Sequence, residues 1–291
     1  MPGKTRFGLG IRLFFFFALE LVGLVVFAAL INELFGYVAA AALGTFCAAA
    51  VANAVVVRIY ERGRLEDVGM GWSNASQRHL LYGAALGAGA AIAVGVAPFV
   101  TGGASFTSAV PGFGWSRLMF LAVMLVFGAV GEELLFRGYG FQVLMGVSGP
   151  RVAVVIFGVL FALMHYNNLE VVGLKPQSVT AMVALGNTFA WGLLLGYAVH
   201  RSGDLWLPIG LHFGWNFALS MFGVRVSGFI MGVTGYELRW TAGSLWSGGA
   251  YGPEASLLTT AAVVAAGCVL YRIRFDRQTL ILADPGREQA S

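Results

Sequence analysis

At 291 residues the chain is long enough for one or two water-soluble domains, yet 58% of its residues are hydrophobic, only 11% are charged, and the mean hydropathy is +0.79. That composition excludes an ordinary soluble globule and specifies a polytopic membrane protein. The net charge of +4 and the isoelectric point near 9.3 are accounted for by membrane topology and anionic lipid, so no nucleic-acid partner is expected.

Apolar windows of about 20 residues, matched to a hydrocarbon layer of about 30 Å, give an all-α transmembrane helical bundle with about eight spans. In chain order they lie near 11–31, 36–57, 80–101, 116–137, 152–168, 179–200, 204–222 and 255–272. The fifth is short and Pro208 interrupts the seventh, so the range is six to eight. The first follows a basic start but is too long for a signal peptide, and a second span follows at once, so it is read as uncleaved. Glu20 stands alone in it as a helix-contact or cavity-lining residue. His79, at the end of a charged loop, is expected at the interface. In the alanine-rich third span, Gly83, Gly87, Gly89 and Gly95 suit close helix packing, the first two at the four-residue spacing of a contact face. Cys47 and Cys268 fall inside spans and imply structural filling rather than a disulfide framework.

With the N-terminus inside, the inner segments hold fourteen of the 18 Lys and Arg residues, leaving Arg117, Lys175, Arg225 and Arg239 outside. Lys and Arg accumulate in cytoplasmic loops, so both termini are expected in the cytoplasm, and the cell membrane is the expected location. No repeat or composition shift divides the chain. It reads as one membrane-embedded domain over 1–291, with 115–222 as its polar core and 278–291 as a mobile cytoplasmic tail. The glycine-rich stretch 223–253, with Trp240, Trp246 and Tyr251, suits an interfacial or partly re-entrant segment.

The chemistry is concentrated in three places: Gly131-Glu132-Glu133-Leu134-Leu135-Phe136-Arg137, then Phe161 to His165, then His212 to Asn216. Ionisable groups inside apolar spans are costly, which marks them as working groups. The turn signal Ser148-Gly149-Pro150 lies midway between Glu132 and His165, so a helical hairpin folded there brings the two to one height. Glu133 and Arg137 are four apart and can pair, which leaves Glu132, about 100° around the helix, free. His212 and Asn216 share a face, as do Phe161 and His165. Depth counted at about 1.5 Å per residue puts Glu132 about 8 Å, His212 about 12 Å and His165 about 20 Å from the inner edge. A common site then requires the hairpin tip to protrude, and it is expected in the inner half, open to the cytoplasm. The residues alone also allow a buried salt-bridge cluster with interhelical hydrogen bonds.

The succession E-E-x-x-x-R, F-x-x-x-H and H-x-x-x-N on consecutive apolar segments resembles the CAAX-protease and bacteriocin-processing (ABI) family of intramembrane peptidases, over roughly 115–222. The resemblance implies a catalytic glutamate at Glu132, support from Glu133 and Arg137, essential imidazoles at His165 and His212, and an oxyanion-stabilising amide at Asn216. It implies an endopeptidase acting on a peptide or lipidated protein substrate in contact with membrane lipid. Direct attack by water needs a base and an oxyanion donor, roles that Glu132 and Asn216 with His212 can fill. One glutamate and two histidines, Glu132, His165 and His212, are also a possible zinc set, so glutamic and metallo types both stand. Other classes remain open: a proton-coupled transporter using Glu132, His165 and His212 as a relay, or a catalytically silent immunity or scaffold protein. Gly146-Val147-Ser148-Gly149 resembles the G-x-S-G of rhomboid serine peptidases, but Ser148 sits in a turn and that reading leaves both glutamates idle.

Overall fold

The computed structural model describes residues 6–110 and 112–283. It is a helical bundle, and six of its helical stretches are long and apolar enough to cross a membrane: Gly8–Phe35, Tyr37–Glu61, Asn74–Val100, Trp115–Ser148, Pro150–Val171 and Val179–Ser202. The first two contain α1 (Arg6–Phe35) and α2 (Tyr37–Val56), and the third is α3 (Asn74–Val100). The fourth combines α4 (Trp115–Arg137) with α5 (Tyr139–Ser148), and the fifth combines α6 (Pro150–Met164) with α7 (Tyr166–Val171). The sixth is α8 (Val179–Ser202). The last two expected spans are the shorter helices α9 (Trp206–Met221) and α11 (Leu257–Arg272), with the single turn α10 (Ser244–Ser247) between them. At 16 residues, α9 and α11 are each about 24 Å long, less than the apolar layer. The bundle therefore has six full spans and two partial ones, at the lower end of the expected range.

Lipid supplies no hydrophobic force between helices, so their association depends on close backbone approach. The tightest approach is between α3 and α9, which run parallel. A Cβ on Gly83 or Gly87 would collide with the Leu207 or Leu211 carbonyl, and one on Gly210 or Gly214 with the Leu80 or Ala84 carbonyl. Two four-residue glycine pairs thus face each other, and one of them is the pair singled out in the sequence. The α4 helix crosses α2 at Gly131, where a Cβ would meet the Phe46 backbone. That crossing fixes the turn carrying Glu132 and Glu133. Asn53 of α2 secures the break after Arg137: its amide donates to the Leu134 carbonyl (3.1 Å), and its oxygen accepts from the Tyr139 N–H (2.7 Å). Gly149 has a positive φ of 84° and Pro150 opens α6, so α5 and α6 fold back on each other with Phe141 against Phe157.

One end of the bundle is closed by the 57–73 loop, the α5–α6 turn and the segment 273–283. Gln142 donates to the Val68 carbonyl (2.7 Å), Leu205 N–H to Gly69 (3.0 Å) and Gln278 N–H to Ser202 (2.7 Å). Leu280 and Leu282 are buried there, so residues 278–283 are packed rather than the start of a mobile tail; residues 284–291 lie outside the described residues. His79 is not interfacial either. It is buried, with Nδ1 2.7 Å from Asp204 Oδ2 and its ring against Phe275, because the C-terminal segment covers it. Ser148 is exposed at this end, away from every histidine of the polar motifs. Glu20 is buried within the bundle, and neither of its carboxyl oxygens has a hydrogen-bond partner among the described residues.

The opposite end carries two small antiparallel sheets. Strand β1 (Ala104–Ser108) pairs with β4 (Tyr236–Trp240), Ala104 opposite Trp240, and β2 (Arg225–Val226) pairs with β3 (Phe229–Ile230) through Ser227 and Gly228. Both turn residues have positive φ, as a tight hairpin turn requires. The stretch expected to be an interfacial or re-entrant segment is thus a hairpin, a strand and one helical turn.

Candidate active site

Glu132 and Glu133 are adjacent on α4 and face different surroundings. Glu133 is fully buried, with Oε1 3.4 Å from Arg137 Nη1 one turn along and 2.9 Å from His212 Nδ1 on α9. Arg137, also fully buried, donates to the Gly192 carbonyl of α8 (3.1 Å), and its guanidinium lies 4.6 Å from the centre of the Phe161 ring. Three helices and an aromatic face thus compensate one buried cation, which alone would be prohibitively costly in an apolar bundle. The expected Glu133–Arg137 pair is present, and it leaves Glu132 unengaged by Arg137.

The Glu132 side chain is 29% exposed, and its Oε2 lies 3.9 Å from Nε2 of both His165 and His212. The imidazoles arrive from opposite sides. His165 stands at the junction of α6 and α7, where the helix breaks, and its Nδ1 is 2.9 Å from the Phe161 carbonyl. A carbonyl only accepts, so Nδ1 carries a proton and Nε2 is the nitrogen turned to Glu132. The Glu133 carboxylate likewise accepts from His212 Nδ1, so that nitrogen also carries a proton. The Phe161 ring, 4.6 Å from that of His165 and 6.3 Å from that of His212, packs beside both. The fold-back at Gly149 brings Glu132 and His165 together, and α9, held by its glycine contact with α3, delivers His212.

Two cavities meet at this cluster. A cleft of about 340 Å³ is walled by Leu121, Met124, Glu132, His165, Asn216 and Met231 among others. A smaller cavity of about 30 Å³ lies beyond His165, His212 and Asn216, against Trp191, Trp215 and Glu254. Asn216 lines both, so all six polar positions singled out in the sequence belong to one neighbourhood: four line these cavities, and Glu133 and Arg137 stand behind them. The Trp191 indole N–H, on the wall of the smaller cavity, is buried without a partner among the described residues.

Glu132 lies farther along its helix from the closed end than the sequence count suggests. Its helix does not end at Arg137: α5 adds ten residues before the turn, and Glu132 lies 16 residues, about 24 Å of helix, from Ser148. The cleft opens past Tyr37, Phe229 and Ile230, at the end that bears the sheets, and not toward the arginine-rich end.

Ser227 and Glu254 are site residues that the motifs do not reveal. Glu254 accepts from the Trp215 indole (2.9 Å), from the Ser227 hydroxyl (3.2 Å) and from the Ser227 N–H. The Asn187 amide donates to the Glu254 carbonyl (2.8 Å). Nearby, burial and the Glu254 carboxylate push the Tyr251 phenol up from its ordinary pKa. These residues lie in irregular chain with no periodic signal, and only the fold brings them to the histidines.

Among the described residues, no group of three His, Cys, Asp or Glu side chains is arranged to hold a metal ion. Glu132, His165 and His212 have the donor chemistry of a zinc set, and nothing in this arrangement supports a metal-dependent type.

Such a bundle, apolar on its outside and with ionisable groups gathered around an internal cleft, defines an integral membrane protein with an enzyme-like centre. Residues 114–218, from the start of α4 to the turn after Asn216, match the family model described as type II CAAX prenyl endopeptidase Rce1-like. The match covers just over a third of the chain, the part that carries all three motifs, and over that part the chain is similar to the CAAX-type membrane proteases. No curated protein matches the chain.

Proposed function

We propose that the protein is an intramembrane endopeptidase in which Glu132 activates water for attack on a peptide bond of a membrane-associated or lipidated substrate. One observation carries this reading: a partly exposed carboxylate held 3.9 Å from two imidazole Nε2 atoms at the inner end of a cleft. Separations of that size are bridged by a water bonded to the flanking groups. Glu132 takes a proton from that water as its oxygen bonds to the carbonyl carbon, and His165 accepts the water's second hydrogen and holds it in line. The carbonyl oxygen becomes an oxyanion facing the Asn216 amide and protonated His212, whose charge Glu133 stabilises. Glu132 returns its proton to the amide nitrogen as the C–N bond breaks, and the released amine takes the remaining hydroxyl proton of the new carboxylic acid, leaving a carboxylate and an ammonium group. No step requires a metal.

A proton relay would string its groups along the membrane normal, whereas these converge on one point, which favours hydrolysis over transport. The test is purified protein in proteoliposomes with a library of internally quenched peptides, read by fluorescence and product mass. Cleavage at internal bonds, unaffected by chelator and lost in Glu132→Ala, is the expected result. Absence of cleavage would return the protein to the silent-scaffold class; loss to chelator with recovery on added zinc would replace the glutamic mechanism.

A further inference from the structure

The two ends of the bundle differ in charge and in access, and together these assign a side of the membrane to the site. At the closed end, the described residues include Arg58, Arg62 and Arg64 on the loop after α2, Arg151 beside the hairpin turn, and Arg274 and Arg277 on the C-terminal segment. At the end with the sheets they include only Arg117, Lys175, Arg225 and Arg239. Three of these four are engaged locally, Arg117 with the Gly112 carbonyl, Arg225 with the Gly228 carbonyl (2.9 Å) and Arg239 with Glu237 (2.8 Å). Excess Lys and Arg in short loops marks the cytoplasmic side. Arg137 does not enter that comparison, because it is buried at the site.

Access runs the other way. The cleft that reaches Glu132 has its mouth at Tyr37, Phe229 and Ile230, at the arginine-poor end. On the arginine-rich side of the glutamates, Leu134, Phe136, Arg137, Tyr139 and Phe141 are all buried, and none of them lines the cleft. The cleft walls are apolar, and Met124, Met164 and Met231 add flexible thioethers that adapt to varied apolar side chains.

We propose that the cleft opens on the extracytoplasmic side, and that its occupant is an apolar peptide segment of a membrane-anchored protein emerging on that side. The substrate part rests on the peptidase reading, whereas the sidedness stands on charge and cavity alone. Such a segment reaches Glu132 from the outer boundary of the bilayer, between the start of α2 and the β2–β3 hairpin, without crossing the bundle.

The test uses full-length protein carrying Cys47→Ala and Cys268→Ala, expressed in a bacterial inner membrane, with single cysteines at two mouth positions (Tyr37→Cys, Ile230→Cys) or two closed-end positions (Glu66→Cys, Ser148→Cys). Using two positions per end guards against one variant failing to fold. A membrane-impermeant maleimide is applied to intact spheroplasts and to inverted vesicles. Labelling of the mouth positions in spheroplasts and of the closed-end positions only in inverted vesicles is expected. The reverse pattern, or labelling of both ends in both preparations, overturns the proposal. A second arm supplies the quenched-peptide library outside proteoliposomes sorted by orientation, and cleavage is expected only where Ile230 faces out. Cleavage only in the opposite orientation also overturns the proposal. Correct labelling without cleavage in either orientation removes the peptidase reading and the substrate assignment with it, while the sidedness stands.

Discussion

Two carboxylate–imidazole pairs of nearly equal geometry occur in this molecule, and they have different surroundings. His79 and Asp204 lie 2.7 Å apart at the closed end, with side chains only 2% and 3% exposed and Phe275 over the ring. His212 and Glu133 lie 2.9 Å apart on facing helices, but the other nitrogen of His212 turns to a second carboxylate, Glu132, which is 29% exposed on a cleft. The first pair ends in packing and the second in a space where a substrate fits. An imidazole oriented by a carboxylate is therefore not enough to define a reaction site; a further group with solvent or substrate access is also needed.

The comparison can be broken most forcefully at Arg137. Arg137→Met removes the cation beside Glu133 and leaves that buried carboxylate only His212 as a partner, and breaking a buried ion pair costs about 3–5 kcal/mol. Thermal unfolding in detergent should show a large loss of stability, with activity falling alongside; an unchanged Tm would mean that the buried network is not what holds the site. Next in size, His212→Ala and His165→Ala should each lower kcat by roughly 10²–10⁴-fold. His79→Ala should leave kcat per folded molecule near wild type, so equal losses at all three histidines would erase the distinction. Asn216→Ala should cost roughly 10²–10³-fold in kcat with little change in KM, the pattern of a donor that acts in the transition state. Smallest is Glu254→Gln, which keeps an oxygen acceptor for Trp215 and the Ser227 backbone. Its kcat/KM should fall by less than about tenfold, a limit set by one weakened hydrogen bond.

Much of this was legible in the sequence wherever a short-range rule applied. The span near 116–137 is α4 within one residue, the turn at Gly149 folds the hairpin about the midpoint between Glu132 and His165, and the four-residue spacings give the Glu133–Arg137 pair and the Gly83–Gly87 contact face. Composition fixed the all-α membrane class, and the motifs named the family that the match over 114–218 supports. The illegible parts depend on chain distant in sequence. The length of helix between Glu132 and the closed end was undercounted because α5 continues beyond Arg137 after a break that hydropathy does not mark. The pairing of Ala104–Ser108 with Tyr236–Trp240 joins segments more than a hundred residues apart, and strand ends of that length have weak patterns. Glu254 and Ser227 reach the histidines only because the hairpin and the turn before α11 fold back over α9. His79 was misplaced because its cover comes from the C-terminal segment.

The central claim, that Glu132 is the working carboxylate while the sealed pair at the other end is structural, is tested most directly by measuring peptide-cleavage rate and Tm together for Glu132→Gln and Asp204→Asn. The account predicts that Glu132→Gln lowers the rate by at least about 10²-fold with Tm unchanged, and that Asp204→Asn lowers Tm with the rate per folded molecule retained. A Glu132→Gln protein that cleaves at the wild-type rate, or that loses activity only in proportion to its folded fraction, would contradict it.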